Sequence, residues 1–239
     1  MNMSRIFLLL AVALILVSCG SQAPKEPAIN TLTAAEIADG WQLLFNGKDL
    51  NNWKIYNGGD VTGWKIVDGV LHNSGVGSDH GGDIITREQY QSFELYLEWM
   101  VDTASNSGIF FNVAENVAPA LYQSGPEYQL IDDYYWPGEL DAKQTSGANY
   151  DMHAPVGAEV MDLDEWNITR LIVNGPKVQH WLNGVKVVEY ELWSDDWYKR
   201  KENSKWKNET FYGAATQGHI GLQDHGGLTM FRNIKIRKL

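Results

Sequence analysis

Apolar and polar residues alternate along most of this chain in short runs bounded by turn formers. Trp41 to Phe45, Trp53 to Tyr56, Trp64 to Val67, Phe93 to Val101, Ile109 to Val113, Tyr128 to Ile131, Ile168 to Val173 and Ile220 to Leu222 are rich in aromatic and β-branched residues. Such residues suit a pleated, half-buried surface, so each run predicts a strand. Asp68-Gly69 and Asn183-Gly184 each sit between two such runs. A type I′ turn needs positive φ at both central residues, which Asp, Asn and Gly tolerate, so both dipeptides predict tight hairpins. Asn174-Gly175-Pro176-Lys177 predicts a third turn, from the strand at Ile168 to one beginning near Val178. In the last run, Leu228 and Met230 oppose Thr229, then Ile234 and Ile236 oppose Lys235 and Arg237. That alternation predicts a closing strand with one wet side.

Helix signals are few. Thr33 and Glu36 are spaced as a capping box, with Gly40 as a stop, and Ser194 is placed to cap a charged segment running through Trp206. Strands recurring between turns, with no repeat array, predict an all-β fold: a jelly-roll β-sandwich of two antiparallel sheets with a few short helices. Residues 39–239 are long enough to form it as one domain.

The N-terminal pattern is different. Ile6 to Val17 is an unbroken apolar run, too short to span a bilayer comfortably but suited to a signal-peptide core. Leu16-Val17-Ser18-Cys19 has the form of a lipobox, so residues 1–18 are expected to be a leader and Cys19 a lipidation site. Residues 19–38 begin Cys-Gly-Ser-Gln-Ala-Pro-Lys-Glu-Pro, a flexible tether by composition. The expected location is the cell envelope, with Gly20 rather than Asp favouring the outer membrane.

Charge narrows the partners. The formal net charge is −11, and removing the leader removes only Arg5 from the charged residues. This balance disfavours nucleic acid and anionic lipid, leaving the lipid anchor as the expected membrane contact. Cys19 is the only cysteine, so no internal disulfide can form and stability must come from the core.

No phosphate loop, zinc spacing or nucleophile elbow is present. With 10 Trp and 11 Tyr, the chain carries aromatic faces suited to stacking on sugar rings, as well as to an ordinary sandwich core. The most informative segment is Glu127 to Asp132. As a strand, it puts Glu127, Gln129 and Ile131 on one face and Tyr128, Leu130 and Asp132 on the other. The first face fits a polar ligand surface or a merely solvated one. In His219 to Gly227, alternation buries Ile220 and Leu222 and sends Gln223 and His225 to the opposite side, with Gly226-Gly227 turning the chain beside His225. His225 is thereby a candidate acid, base or oxyanion donor at a rim. Lys143, Tyr150, Asp151 and His153 fall in a Gly- and Pro-punctuated segment long enough to border a pocket or to be plain surface loop. The string Asp79-His80-Gly81-Gly82-Asp83 makes a divalent metal ion a candidate ligand, with no specific spacing behind it.

Several segments together resemble the 3-keto-disaccharide hydrolase domain family. They are Trp41-Gln42-Leu43-Leu44-Phe45-Asn46-Gly47-Lys48-Asp49-Leu50-Asn51-Asn52-Trp53, Asn106-Ser107-Gly108-Ile109-Phe110-Phe111, Pro126 to Asp132, His180-Trp181-Leu182-Asn183-Gly184, and Gly221 to Gly226 followed by Phe231 to Ile236. The resemblance runs in order from Asp39 to the C-terminus and implies a concanavalin-like lectin/glucanase sandwich. It departs at Asn112, where the family often has arginine, so a substrate contact there is expected to differ.

The implied activity is cleavage of glycosides whose C3 hydroxyl has been oxidised to a ketone. A C3 ketone acidifies the C2 proton, so one base could drive β-elimination of the group on C1, with water addition completing a net hydrolysis. On this resemblance Glu127 and His225 are the expected catalytic pair. Gln129, Lys143 and Gln223 are expected substrate contacts, with Asn106, Asp132 and Tyr150 in support. The expected partner is an oligosaccharide or other glycoside. The competing expectations are a non-catalytic carbohydrate-binding module, which needs an exposed aromatic platform and no buried acid, and a scaffold of a glycan-utilisation system.

Overall fold

The computed structural model describes residues 28–73, 82–157 and 159–239. The leader, Cys19 and most of the Asp79 to Asp83 string lie outside these residues.

The predicted elements appear in order, joined by a strand that no predicted run covered, Ile84–Thr86. A short helix, α1 (Ala34–Ala38), is followed by strands β1 (Gln42–Leu43), β2 (Trp53–Ile55), β3 (Trp64–Val67), β4 (Val70–Asn73), β5 (Ile84–Thr86), β6 (Phe93–Val101), β7 (Asn106–Val113) and β8 (Glu127–Ile131). Then come β9 (Asn167–Asn174), β10 (Lys177–Leu182), β11 (Val185–Glu191), helix α2 (Asp195–Glu202), β12 (His219–Leu222) and β13 (Thr229–Lys238). Both helices start as the sequence requires. Thr33 and Glu36 complete a reciprocal capping box, and Ser194 Oγ accepts from the Trp197 amide. No helix among the described residues is long and apolar enough to cross a membrane.

Two antiparallel sheets form the sandwich. The larger runs β11-β10-β9-β6-β13-β4-β3, with β1 also pairing to β13; the smaller runs β2-β5-β12-β7-β8. The predicted hairpins join β3 to β4 and β10 to β11, and Asp68, Gly69, Asn183 and Gly184 all have positive φ. At the third turn Gly175 has φ +57, so the first central position takes the left-handed conformation. Ile84, Ile109, Phe111, Tyr128, Leu130, Ile220 and Leu222 of the smaller sheet share one core with Leu71, Leu95, Trp99, Leu171 and Phe231 of the larger.

Bulges reset the alternation in β13 and β7. In β13 the apolar side is not Leu228 and Met230 as expected: Thr229 and Phe231 are buried, whereas Met230 is half-buried on the other face. An extra residue between Arg232 and Lys235 then flips the parity, so Ile234 and Ile236 return to the core. Asn233 sits in that bulge at φ +52. Asn112 occupies a matching bulge in β7 at φ +51 and sends Val113 to the outer face of the smaller sheet. The asparagine that departs from the family pattern thus occupies a backbone position that this residue type tolerates.

Candidate functional site

The outer face of the smaller sheet is where the chemistry gathers. Next to a small apolar cluster of Tyr56, Ile85, Phe110, Val113 and Leu121, this face carries a cavity of about 390 Å³ lined by Asn106, Tyr122, Glu127, Tyr150, Lys205, Trp206, Glu209, Gln223 and His225. Asn106, Glu127, Gln223, Tyr150 and His225 were all expected from sequence. Tyr122, Lys205, Trp206 and Glu209 were not.

Each wall is built by backbone pairing. Glu127 begins β8, opposite Phe110 of β7. Gly108, on the neighbouring strand, leaves the space into which the Glu127 carboxyl projects, because any Cβ there would overlap its Oε1. Gln223 is pinned at its backbone: its amide donates to Gly108 O at 3.0 Å, and its own carbonyl accepts from Asn73 Nδ2 at 3.1 Å and Ser107 Oγ at 2.8 Å. His225 follows at the exposed rim. The free edge of β8 is covered by residues 147–153. The Gln129 amide donates to Ala148 O, and the Tyr150 amide donates to Glu127 O at 3.1 Å. That pairing carries Tyr150 to the cavity.

The remaining wall comes from the excursion after β11. Trp206 stacks on Tyr212 at 4.6 Å between ring centroids, Tyr212 on Trp197 at 5.8 Å, and Trp197 on Tyr190 at 5.7 Å, so a ladder of rings ties the excursion to the larger sheet. Trp206 Nε1 donates to Tyr150 O at 3.0 Å, and the Lys205 amide donates to Asp151 Oδ2 at 2.7 Å. Lys205 is exposed overall, yet its ammonium lies 3.9 Å from the Tyr150 ring centre and 4.3 Å from that of Trp206. A charged surface helix was the sequence expectation here. The turn after it supplies a cation, Lys205, and one ring, Trp206, to the site, and the only available signal was Trp206 in an otherwise polar stretch.

Electrostatics follow from burial. Desolvation pushes the Glu127 carboxyl up to about 8, with Lys205 opposing and Asp83 reinforcing the shift. Burial lowers the Lys205 ammonium, while Glu127 and Asp151 pull it back up. Asp83, which accepts from the Asp224 amide at 2.9 Å, is raised to about 7 mainly by burial. The solvated-face reading of Glu127 and Gln129 therefore does not hold, since only 5% of Glu127 and 1% of Gln129 is exposed.

Around this carboxyl, Asn106 Oδ1, Gln129 Oε1 and Gln223 Oε1 are buried without a hydrogen-bond partner among the described residues. Buried acceptors normally find donors, so three bare amide oxygens on one surface call for a donor-rich ligand. Glu209 adds a second carboxyl at the cavity wall, held by Gln123 Nε2 at 3.1 Å.

Four expected residues lie elsewhere or differ in setting. Gln129 lines an adjoining cavity. Lys143 faces a separate groove and pairs with Asp151 at 3.3 Å. Asp132 caps a turn, accepting from the Ala104, Tyr134 and Tyr135 amides. His153 stacks on Tyr190 inside the fold, where burial holds it down to about 4. No group of three or more His, Cys, Asp or Glu side chains that could hold a metal ion is found among the described residues.

Comparison with known proteins places the chain. The family model for the 3-keto-alpha-glucoside-1,2-lyase-like domain matches residues 40–237. A Bacteroides thetaiotaomicron protein named 3-keto-disaccharide hydrolase is 32% identical across 99% of this chain and 100% of its own length. Two crystal structures from Parabacteroides distasonis, both provisionally named glycosyl hydrolases, share the fold. One is 39% identical with a TM-score of 0.83, covering 89% of this chain and 100% of the other; the second is 29% identical with a TM-score of 0.64, covering 83% and 99%.

Proposed function

Because the chain belongs to the 3-keto-alpha-glucoside-1,2-lyase-like domain family, we propose that it is a carbohydrate-active enzyme that cleaves 3-keto-glycosides at the cavity around Glu127. The observation that carries this reading is one buried carboxyl of raised proton affinity, surrounded by amide acceptors that lack partners and bordered by a cation.

The chemistry runs from the ketone. Glu127, ionised, removes the C2 proton, and the C2–H electrons form a C2=C3 enolate. A carboxylate whose proton affinity lies near the working pH is a stronger base than an ordinary one and still ionises. The charge developing on the C3 oxygen is met by the Lys205 ammonium. The enolate then collapses: C3=O reforms, C1=C2 forms, the C1–O bond breaks, and the leaving oxygen takes the proton back from Glu127 or from His225 at the rim. Addition of water across C1=C2 gives net hydrolysis. Asn106, Gln129 and Gln223 accept hydrogen bonds from substrate hydroxyls, and Tyr122, exposed at the cavity, offers a ring face.

A second reading rests on Glu209. Two carboxyls at one cavity fit a conventional glycosidase acting on unoxidised sugars. A non-catalytic binding module is less well supported, since it gives no reason to bury Glu127.

The test is release of a chromogenic leaving group from a glucoside and from its 3-keto derivative, with and without a chelator. Release from the keto form alone supports elimination, and sensitivity to the chelator adds a metal ion to it. Release from the plain glucoside moves the assignment to the two-carboxyl mechanism, and release from neither moves it to a binding module.

A further inference from the structure

A second cavity opens on the same face, about 250 Å³ in volume, and shares Asn106 and Tyr150 with the first as a common wall. Its other boundaries are Gln129, Ile131, Trp136, Glu139, Leu140 and Gln144. We infer that this cavity is the subsite for a second sugar ring, the one that leaves from C1, with Trp136 as its stacking face and Gln129 Oε1 accepting from one of its hydroxyls. The inference rests on the reading of the first cavity as the place of glycoside cleavage.

The geometry supports it in three ways. Glu127 and Gln129 are alternate residues of β8, so both side chains lie on one face and are offset by about 6.6 Å along the strand, a spacing suited to consecutive pyranose rings. Gln129 Nε2 donates to Gln144 O at 3.2 Å, which fixes the amide so that its bare oxygen is the atom left for a ligand donor. The partition is itself held on both sides: the Tyr150 hydroxyl accepts from Gln144 Nε2 at 3.2 Å, and the Tyr150 amide donates to Glu127 O.

The chemistry of the lining selects the occupant. Among the described residues, Glu139, an exposed residue, is the only ionisable side chain there apart from the shared Tyr150, and no cation lines the space. An anionic group finds no counter-charge. A neutral polyol finds amide acceptors, and Trp136, half-buried, offers the indole face on which such a ring stacks.

The experiment compares a 3-keto disaccharide, whose leaving group is a hexose, with the 3-keto methyl glycoside, whose leaving group is too small to reach Trp136. Trp136→Ala is expected to lower kcat/KM on the disaccharide about tenfold while leaving the methyl glycoside within about twofold, and Trp136→Phe to restore most of the loss. Equal loss on both substrates, or no loss on the disaccharide, overturns the assignment. Calorimetric titration with the unoxidised disaccharide and methyl glucoside separates this question from the reaction. If the wild-type protein cleaves neither keto substrate, the cleavage reading fails. Even then, tighter binding of the disaccharide that Trp136→Ala abolishes supports the subsite, and equal binding of the two sugars overturns it.

Discussion

Gly108 and Glu127 share one volume: the Cβ that Gly108 lacks would overlap Oε1 of Glu127 and lie 2.8 Å from Phe110 Cε2. Gly108 lies on an internal strand of the smaller sheet, paired opposite Gln129 of β8 on one side and accepting from the Gln223 amide on the other, so its backbone is held in place. Gly108→Ala is therefore expected to displace the carboxyl. A misplacement of this kind should cost about 100-fold in turnover. Kinetics on a 3-keto glycoside, with circular dichroism to show the sheet intact, check this.

Glu127→Gln keeps the shape and removes the carboxyl proposed as the base. Turnover should fall about 10²- to 10⁴-fold. In the wild-type protein kcat/KM should rise with pH up to about 8, because the ionised form acts and burial delays its ionisation. A profile that is flat between pH 6 and 8 would remove Glu127 as the base.

Stability should carry the opposite dependence. The Glu127 carboxyl has a higher proton affinity folded than unfolded, where the ordinary value is 4.5. The folded state thus holds the proton longer, and stability is lost as pH rises from that value toward about 8. Glu127→Gln carries no ionisable group, so its Tm advantage over the wild-type protein should be larger at pH 8 than at pH 5. Thermal melts at the two pH values decide it.

Lys205→Met removes the cation that favours the ionised form of Glu127. The rising limb of the pH profile should move to higher pH, and turnover at its plateau should fall about 100-fold if the ammonium also meets the enolate charge. A shifted profile with an unchanged plateau would confine Lys205 to tuning Glu127.

Trp197→Ala breaks the ring ladder between Tyr190 and Tyr212 at a fully packed position. A loss of about 3–5 kcal/mol is expected from denaturant unfolding. Because Trp206 and Lys205 hang from the same ladder, KM should rise in the variant even below its melting temperature.

Much of the fold is legible along the chain because the signals are local. Asp68-Gly69 and Asn183-Gly184 choose their turns by which residues tolerate positive φ, and Thr33 with Glu36 caps a helix from three residues away. Period-two alternation predicts which face of β8 is polar, so Glu127 and Gln129 were found together. The same rule failed on β13, where the extra residue at Asn233 inverts the parity that Leu228 and Met230 had suggested. A bulge is accommodated by pairing across strands, which the one strand does not reveal.

The sequence by itself determined a β-sandwich, its hairpins, its caps and the strand carrying the key carboxyl, since each depends on residues a few positions apart. Only the tertiary structure decided the rest. It brought Lys205 and Trp206, nearly eighty residues downstream, to the same cavity as Glu127. It drew Lys143 away to Asp151, and it buried Glu127 deeply enough to change its proton affinity. Burial, counter-charge and cavity shape are sums over residues distant in the chain, and no window of sequence contains them.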